Sequence, residues 1–237
     1  MLSRTLPARP SLADAVLLGH TEGGREWPLL VWVPGPGVRM VSSAVLGGGI
    51  GEREWVVNAQ VPPGYDRLDP VAHLSELASD AGLSGPGVGL MTAASVADRR
   101  HAVDGGAHAV VTAGIGVRGW AAAPGAGGIA VPRPGTINII VSLPVPLTDA
   151  ALVNAVATAT EAKTQALVEL GADASGTPTD AVCVAAPSAG GDGAGPFAEP
   201  FAGPRSLWGA RLARAVHRAT REACAGLLAA ERTGPAV

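Results

Sequence analysis

Aromatic residues are scarce in this 237-residue chain, where Phe, Trp and Tyr together make 3%. So few rings argue against base stacking as a binding mode. Charge is thin as well: 16% of residues are charged and the formal net charge is -3. That balance offers no basic field for nucleic acid or anionic lipid. There are two cysteines, Cys183 in an apolar run and Cys224 in a helical one. They form neither a disulfide framework nor a metal-ligand spacing, and are expected as buried thiols in a reducing compartment. No run approaches the roughly 20 apolar residues of a membrane span, and ADAVLLG is too short for a signal core. The expectation is a cytoplasmic protein.

What the chain does have is apolar mass and turns. With 47% hydrophobic residues it can fill one sizeable core, and two domains are not required. Its 33 glycines and 20 prolines cluster between apolar runs and read as turns. WPLLVWV (27–33), RMVSSAVL (39–46) and EWVVNAQV (54–61) predict three strands joined as a meander. DPVAHLSELASDAGL predicts a helix capped by Asp69, with Pro70 first and an end near Gly82. GVGLMTAASV reads as a strand leading into a short helix.

RRHAVDGGAHAVVTAG has the pattern of a hairpin; a two-residue turn at Asp104-Gly105 makes His101 and His108 cross-strand neighbours. GTINIIVSLPV (135–145) carries no charge and predicts a central strand. A helix over 148–170 follows, opened by Thr148 or Asp149 and closed by Gly171. DAVCVAA predicts another buried strand, 188–204 a flexible surface loop, 205–229 a last helix and 231–237 a frayed tail. The sum is one α/β domain over 1–237, a mixed sheet of about seven strands layered with helices.

The helix over 148–170 carries an anomaly. At about 100° per residue, Leu152, Val153, Val156, Leu167 and Leu170 share one face, and Asn154, Thr158, Glu161 and Gln165 the other. Lys163 projects from the middle of the apolar stripe. Either it snorkels past the sheet edge, or it is held in a partly desolvated cleft where it donates to an anion or a developing oxyanion. For Glu161 alone, geometry favours a solvated face. In the last helix Trp208, Leu212, Val216, Ala219, Ala223 and Leu227 make the buried stripe, with Arg211, Arg214, Arg218 and Arg221 on a solvated side and His217 on the boundary.

Other constellations are weaker. LGGGIGE (46–52) lacks a Walker lysine and leads into a strand, so neither the phosphate-loop nor the dinucleotide reading has its context. Its glycines still allow backbone to approach a bulky ligand. Ser42 and Ser43 precede them without a Gly-x-Ser-x-Gly elbow. His101 and His108 lack a third metal ligand, and no metal is expected. SGTPTDAV (175–182) runs Asp180 straight into a buried strand, which is expensive unless it is paired; Lys163 is the nearest lysine able to do so.

These stretches resemble a known family, the adenosylcobinamide amidohydrolases of the CbiZ type. The resemblance runs from SSAVLGGGIGEREWVVNAQV to GPRSLWGARLARAVH and is most specific in GTINIIVSLPVPLTDAALVNAVATATEAKTQAL and SGTPTDAV. It implies salvage of incomplete corrinoids: hydrolysis of the amide between the aminopropanol arm and the corrin ring, giving adenosylcobyric acid. The cobalt then arrives in the corrinoid substrate, with no resident cofactor. The matched polar positions are Thr136, Asn138, Glu161, Lys163, Thr164, Thr177, Thr179, Asp180 and Ser206. Two departures stand out. TAGIGVRGW lacks an asparagine that archaeal members carry soon after Thr-Ala-Gly, and GPR replaces a Gly-Gly-His-like run.

Under that resemblance, the expected mechanism has Glu161 activate water while Lys163 and Asn138 stabilise the tetrahedral oxyanion and Asp180 orients Lys163. The competing one uses Thr136, Thr177 or Ser43 as nucleophile with Lys163 as base. Substrate contacts are expected from Ser42, Ser43, Gly47, Gly48, Gly49, Asn58, Thr136, Thr164, Thr177, Thr179, Arg205 and Ser206, with glycine segments 47–49 and 85–89 forming a wall against the corrin. Rival readings are a non-catalytic corrinoid-binding module and a self-processing acyltransferase or aminopeptidase. The oligomeric state is open, a homodimer included.

Overall fold

The computed structural model describes residues 11–124, 135–189 and 197–233. Ten strands and three α-helices follow in chain order: β1 (Val16–Glu22), β2 (Arg25–Trp32), β3 (Val38–Ser42), β4 (Gly49–Glu52), β5 (Trp55–Gln60), α1 (Pro70–Asp80), β6 (Gly87–Thr92), β7 (Arg100–Asp104), β8 (Ala107–Gly114), β9 (Thr136–Ser142), α2 (Asp149–Glu169), β10 (Ala181–Pro187) and α3 (Leu207–Thr233). The α/β class is as expected. The strands, however, divide between two mixed sheets, ordered β1-β2-β5-β6 and β4-β3-β10-β9-β8-β7.

Period-two alternation explains how the sheets stack. Leu29, Val31, Trp55, Val57 and Ala59 pack against Leu74, Leu77 and Ala78 of α1. Their neighbours Leu30, Trp32 and Val56 turn inward to meet Met40, Val110, Ile140 and Cys183 of the larger sheet. On that sheet's far face, Ile137, Ile139, Val141, Val182 and Val184 pack against α2 and α3. The layers therefore run α1, small sheet, large sheet, α2 with α3. Strands buried on both faces read as unbroken apolar runs, which is why β9 and β10 are so plain in the sequence.

Four local expectations are corrected. The first three strands make no meander: β2 pairs with β5, while β3 crosses to the other sheet to pair with β10 and β4. The cause is the tight loop after β3, where a Cβ at Gly48 would lie 2.6 Å from the Ala44 carbonyl, folding the chain back as β4. The hairpin turn is Gly105-Gly106, both at positive φ, so that Asp104 pairs with Ala107. His101 and His108 are consequently diagonal neighbours, still on one face and 3.2 Å apart. No helix follows β6; residues 93–99 are turns and bends. Finally, Asp69 precedes α1 without a side-chain cap bond and pairs with Arg67 instead.

Thr148 caps α2 by accepting from the Ala151 amide at 3.2 Å. Its buried face is mostly alanine, with Leu152 and Leu167, whereas Val153 is exposed and Thr158 is buried, donating to the Ala202 carbonyl at 2.8 Å. Small side chains let α2 lie close to the sheet and to α3, which turns the packed face away from the large residues that the periodicity suggested. In α3 the stripe ends on Cys224 and Leu228 rather than Ala223 and Leu227. Its arginines are tied down rather than merely solvated: Arg214 pairs with Asp104 and Arg221 with Glu169. α3 extends through Thr233, so the first part of the expected frayed tail is helical, and 234–237 lie outside the described residues. Residues 190–196 of the expected 188–204 loop also lie outside them. Among the described residues, no helix is long and apolar enough to cross a membrane.

Candidate active site

Three segments meet where β9 and β10 begin: the fourth turn of α2, the SGTPTD loop, and the first residues of β9. Lys163 is buried on the α2 face that covers the large sheet, and its ammonium pairs with Asp180 Oδ2. The side chains keep 8% and 13% of their exposure. Desolvating two charges is unfavourable unless the pair is close and the remaining hydrogen-bonding capacity is met. Asp180 meets it fully. Besides Lys163, it accepts from the Ile137 amide at 2.8 Å, the Thr177 amide at 3.1 Å and the Thr177 hydroxyl. A carboxylate has about four acceptor positions, and all are used.

A hydroxyl shelf extends from the pair. Thr136 and Thr179 share a hydrogen bond of 2.6 Å, and Thr179 donates to the Gly135 carbonyl at 2.9 Å. The Thr177 hydroxyl lies 2.8 Å from the same carbonyl as well as on Asp180. Thr164 donates to the Ser175 carbonyl at 3.0 Å, fastening the loop to α2. Gly176 sits directly on the ion pair; a Cβ there would lie 2.5 Å from Lys163 Nζ. Ser42 and Ser43 close the same end of the sheet, Ser42 donating to the Val182 carbonyl at 3.0 Å and Ser43 accepting from the Val182 amide at 3.1 Å.

Several expected partners go elsewhere. Glu161 stands two residues from Lys163, about 200° around the helix. It is exposed and lines a groove between α2 and α3 with His217 and Arg221. Asn138 shares the inter-sheet face of β9 with Ile140, opposite the face α2 covers. Its amide donates to Asn58 Oδ1 at 2.9 Å and to the Met91 carbonyl at 3.1 Å, while Asn58 donates to Thr112 at 3.0 Å. An oxyanion shared by Lys163 and Asn138, with water activated by Glu161, is therefore not the arrangement found. The three residues point in three directions from one β–α unit.

Ser206 caps α3, accepting from the Gly209 amide at 3.1 Å and donating to the Gly203 carbonyl at 2.9 Å. This segment lies against Asn154, whose Oδ1 accepts from Ala202 at 3.3 Å. Nine residues of helix, about 13 Å, separate Asn154 from Lys163, so Ser206 and the exposed Arg205 sit away from the pair. The two glycine segments pack together, a Cβ at Gly47 meeting the Gly87 carbonyl, and Gly47, Gly85 and Gly87 form one surface. It lines a 510 Å³ recess with Trp55, Arg53 and residues of α1, and shares no residue with the Lys163 cluster. His101 and His108 both titrate below the ordinary histidine value, primarily through burial. Among the described residues no group of three His, Cys, Asp or Glu side chains is placed to hold a metal ion. Cys183 and Cys224 are buried as expected, and burial pushes each thiol up to about 12, which removes both as nucleophiles near neutral pH.

The composition of the chain also marks this position. Lys163 is the single lysine of the chain, set against sixteen arginines. A composition that otherwise places arginine at every cationic position keeps an ammonium at one buried site. The ammonium there is a compact point charge, seated directly against Gly176.

Fold and site together define an α/β protein with a buried Lys–Asp pair and a hydroxyl shelf at one end of its larger sheet. The sequence pattern described as adenosylcobinamide amidohydrolase matches residues 14–231, and the chain belongs to that family. It is 33% identical over 179 residues to the adenosylcobinamide amidohydrolase of Methanosarcina mazei, an alignment covering 73% of this chain and 84% of the relative.

Proposed function

We propose that the protein is an amide hydrolase of corrinoid salvage. It cleaves the amide that joins the aminopropanol arm to the corrin ring of adenosylcobinamide and releases adenosylcobyric acid and the amino alcohol. The observation that carries the chemistry is the contact between the Thr177 hydroxyl and a carboxylate paired to a buried ammonium. Among the described residues, the Thr136 and Thr179 hydroxyls reach only each other and the Gly135 carbonyl, and a neutral carbonyl takes no proton at neutral pH. Asp180 has no acceptor position left for a water, so the proton it takes comes from a group already bonded to it.

The steps balance on that basis. Thr177 Oγ attacks the amide carbon as its proton passes to Asp180. Lys163, which meets Asp180 as its one acceptor among the described residues, has N–H bonds left for the developing oxyanion. The C–N bond breaks as the proton on Asp180 moves to the departing amine, leaving an ester on Thr177. Water then hydrolyses this ester and restores the hydroxyl. The cobalt is part of the substrate and takes no part in these steps.

The test is incubation with adenosylcobinamide, followed by mass spectrometry for adenosylcobyric acid and, after hydroxylamine quench, for its hydroxamate. Product from the wild type, hydroxamate formation, and loss of both in Thr177→Ala with partial return in Thr177→Ser support the scheme. Full turnover by Thr177→Ala with no trapped acyl group returns the attack to water. No product from the wild type, alongside measurable binding, points to a corrinoid-binding module.

A further inference from the structure

We infer that Trp120 is a stacking platform for a flat face of the substrate and sets its position beside the Lys163–Asp180 pair; this rests on the hydrolase reading above. Trp120 is the one exposed tryptophan of five, at 44% of its full accessibility, in a chain with only eight aromatic residues. Its ring is nonetheless fixed, because the indole N–H donates to Asp173 Oδ1 at 2.7 Å. An indole held by its edge keeps its π faces available, and an aromatic held rigid loses little freedom when a second ring lies against it.

Position supplies the second argument. The loop carrying Trp120 is zipped onto the segment that covers the ion pair. Gly119 donates to the Gly176 carbonyl at 3.0 Å, Ser175 donates back to the Gly119 carbonyl at 3.0 Å, and the Ala121 amide reaches Ser175 Oγ at 2.9 Å. Gly176 is the residue seated on Lys163. A recess of 370 Å³ lined by Gly116, Val117, Arg118 and Asp173 opens at the carboxylate that holds the indole. That volume lies within the range of small-ligand sites. The other well-exposed rings, Phe197 and Phe201, flank the strand-like contact of Leu147 with Glu199, near the start of α2 and away from the pair.

Adenosylcobinamide offers two flat surfaces, the adenine of its upper ligand and the conjugated corrin. Both present a π face to an indole, and the experiment separates them. Steady-state kinetics of Trp120→Ala and Trp120→Phe are measured with adenosylcobinamide and with cobinamide lacking the adenosyl group. Binding is read in parallel by equilibrium dialysis, following the corrin's visible absorption. Loss of the platform raises KM and the dissociation constant about tenfold in Trp120→Ala with kcat within about twofold, and the phenyl ring of Trp120→Phe restores most of the affinity. A penalty confined to the adenosylated substrate assigns adenine to the platform, and an equal penalty on both assigns the corrin. Unchanged KM and binding in Trp120→Ala, in a variant with the wild-type thermal midpoint, overturns the inference. Because dialysis does not need turnover, it still reads the platform if the wild type proves unable to hydrolyse the amide.

Discussion

At the end of the large sheet where β9 begins, charge is buried and convergent; at the end where β9 finishes, charge is exposed and dispersed. The first end gathers Lys163, Asp180, Thr177, Thr136 and Thr179 around one carbonyl and one carboxylate. The second holds Arg214 against Asp104, Arg211 over the Trp208 ring at 4.6 Å, and Ser206 on a helix terminus. Both ends are polar, and both carry residues that the family resemblance singles out. What separates them is desolvation. An exposed ion pair contributes little to stability or chemistry, whereas a buried one stands ready to stabilise a charge that develops beside it.

The sharpest way to break this contrast is Lys163→Met. It leaves Asp180 buried without its counter-charge, so the expected outcome is loss of adenosylcobinamide turnover together with a stability loss of about 3 kcal/mol. Urea unfolding checks the second part. Full activity in this variant removes the site from this end of the sheet. Gly176→Ala comes next. Its methyl group would meet Lys163 Nζ at 2.5 Å, so the ammonium must move off Asp180, and kcat is expected to fall by about 10²-fold, as when reacting groups shift by about an ångström. Wild-type kcat in the alanine variant would show that the pair need not be held this closely.

Much of this was legible from residues alone, and the failures have physical causes. Hydrophobic periodicity placed Lys163 on a buried face, and the cost of burying Asp180 pointed to its partner. Both hold because burial of charge is a local constraint that a sequence displays. The roles of Glu161 and Asn138 were not legible in the same way. Which face of β9 looks toward α2 depends on how a second sheet stacks on the first, and no local pattern encodes that. β1, with Val16, Leu17 and Leu18 all substantially exposed, lacks the alternation that marks a half-buried strand. β4 is four residues with two glycines. Neither offered a strand signal.

The small sheet provides a neutral counterpart to the charged pair. His73 is 2% exposed, within hydrogen-bonding distance of the Tyr65 hydroxyl at 3.0 Å and of Glu22 at 3.1 Å. Burial, chiefly, holds its proton affinity below the ordinary value of 6.5, and burial does the same for His101 and His108. Below pH 6.5 the unfolded chain therefore binds more protons at these sites than the folded one. Their contribution to stability is complete above that pH and is lost as pH falls beneath it. The urea midpoint is expected to drop on moving from pH 6.5 to about 5.5, and His73→Gln to flatten part of that drop. A midpoint that rises on acidification contradicts burial as the dominant cause.

Ser206→Ala and Glu161→Gln probe the residues that geometry sets apart from the pair. Removing the Ser206 hydroxyl leaves the Gly209 amide unpaired at the start of α3, for an expected stability loss of about 1 kcal/mol and unchanged kcat. The Glu161 change is smaller still. Its carboxylate is exposed in the α2–α3 groove and faces away from Lys163, so kcat and KM are each expected to stay within about twofold, and stability within about 0.5 kcal/mol. Glu161 nevertheless lies two positions from Lys163 in the stretch with the most specific family resemblance, which makes this small number informative. A hundredfold loss of kcat with intact folding would mean that the groove and the buried pair work as one site, reached by a rearrangement of α2 or by a second copy of the chain. Light scattering alongside the kinetics separates those two causes.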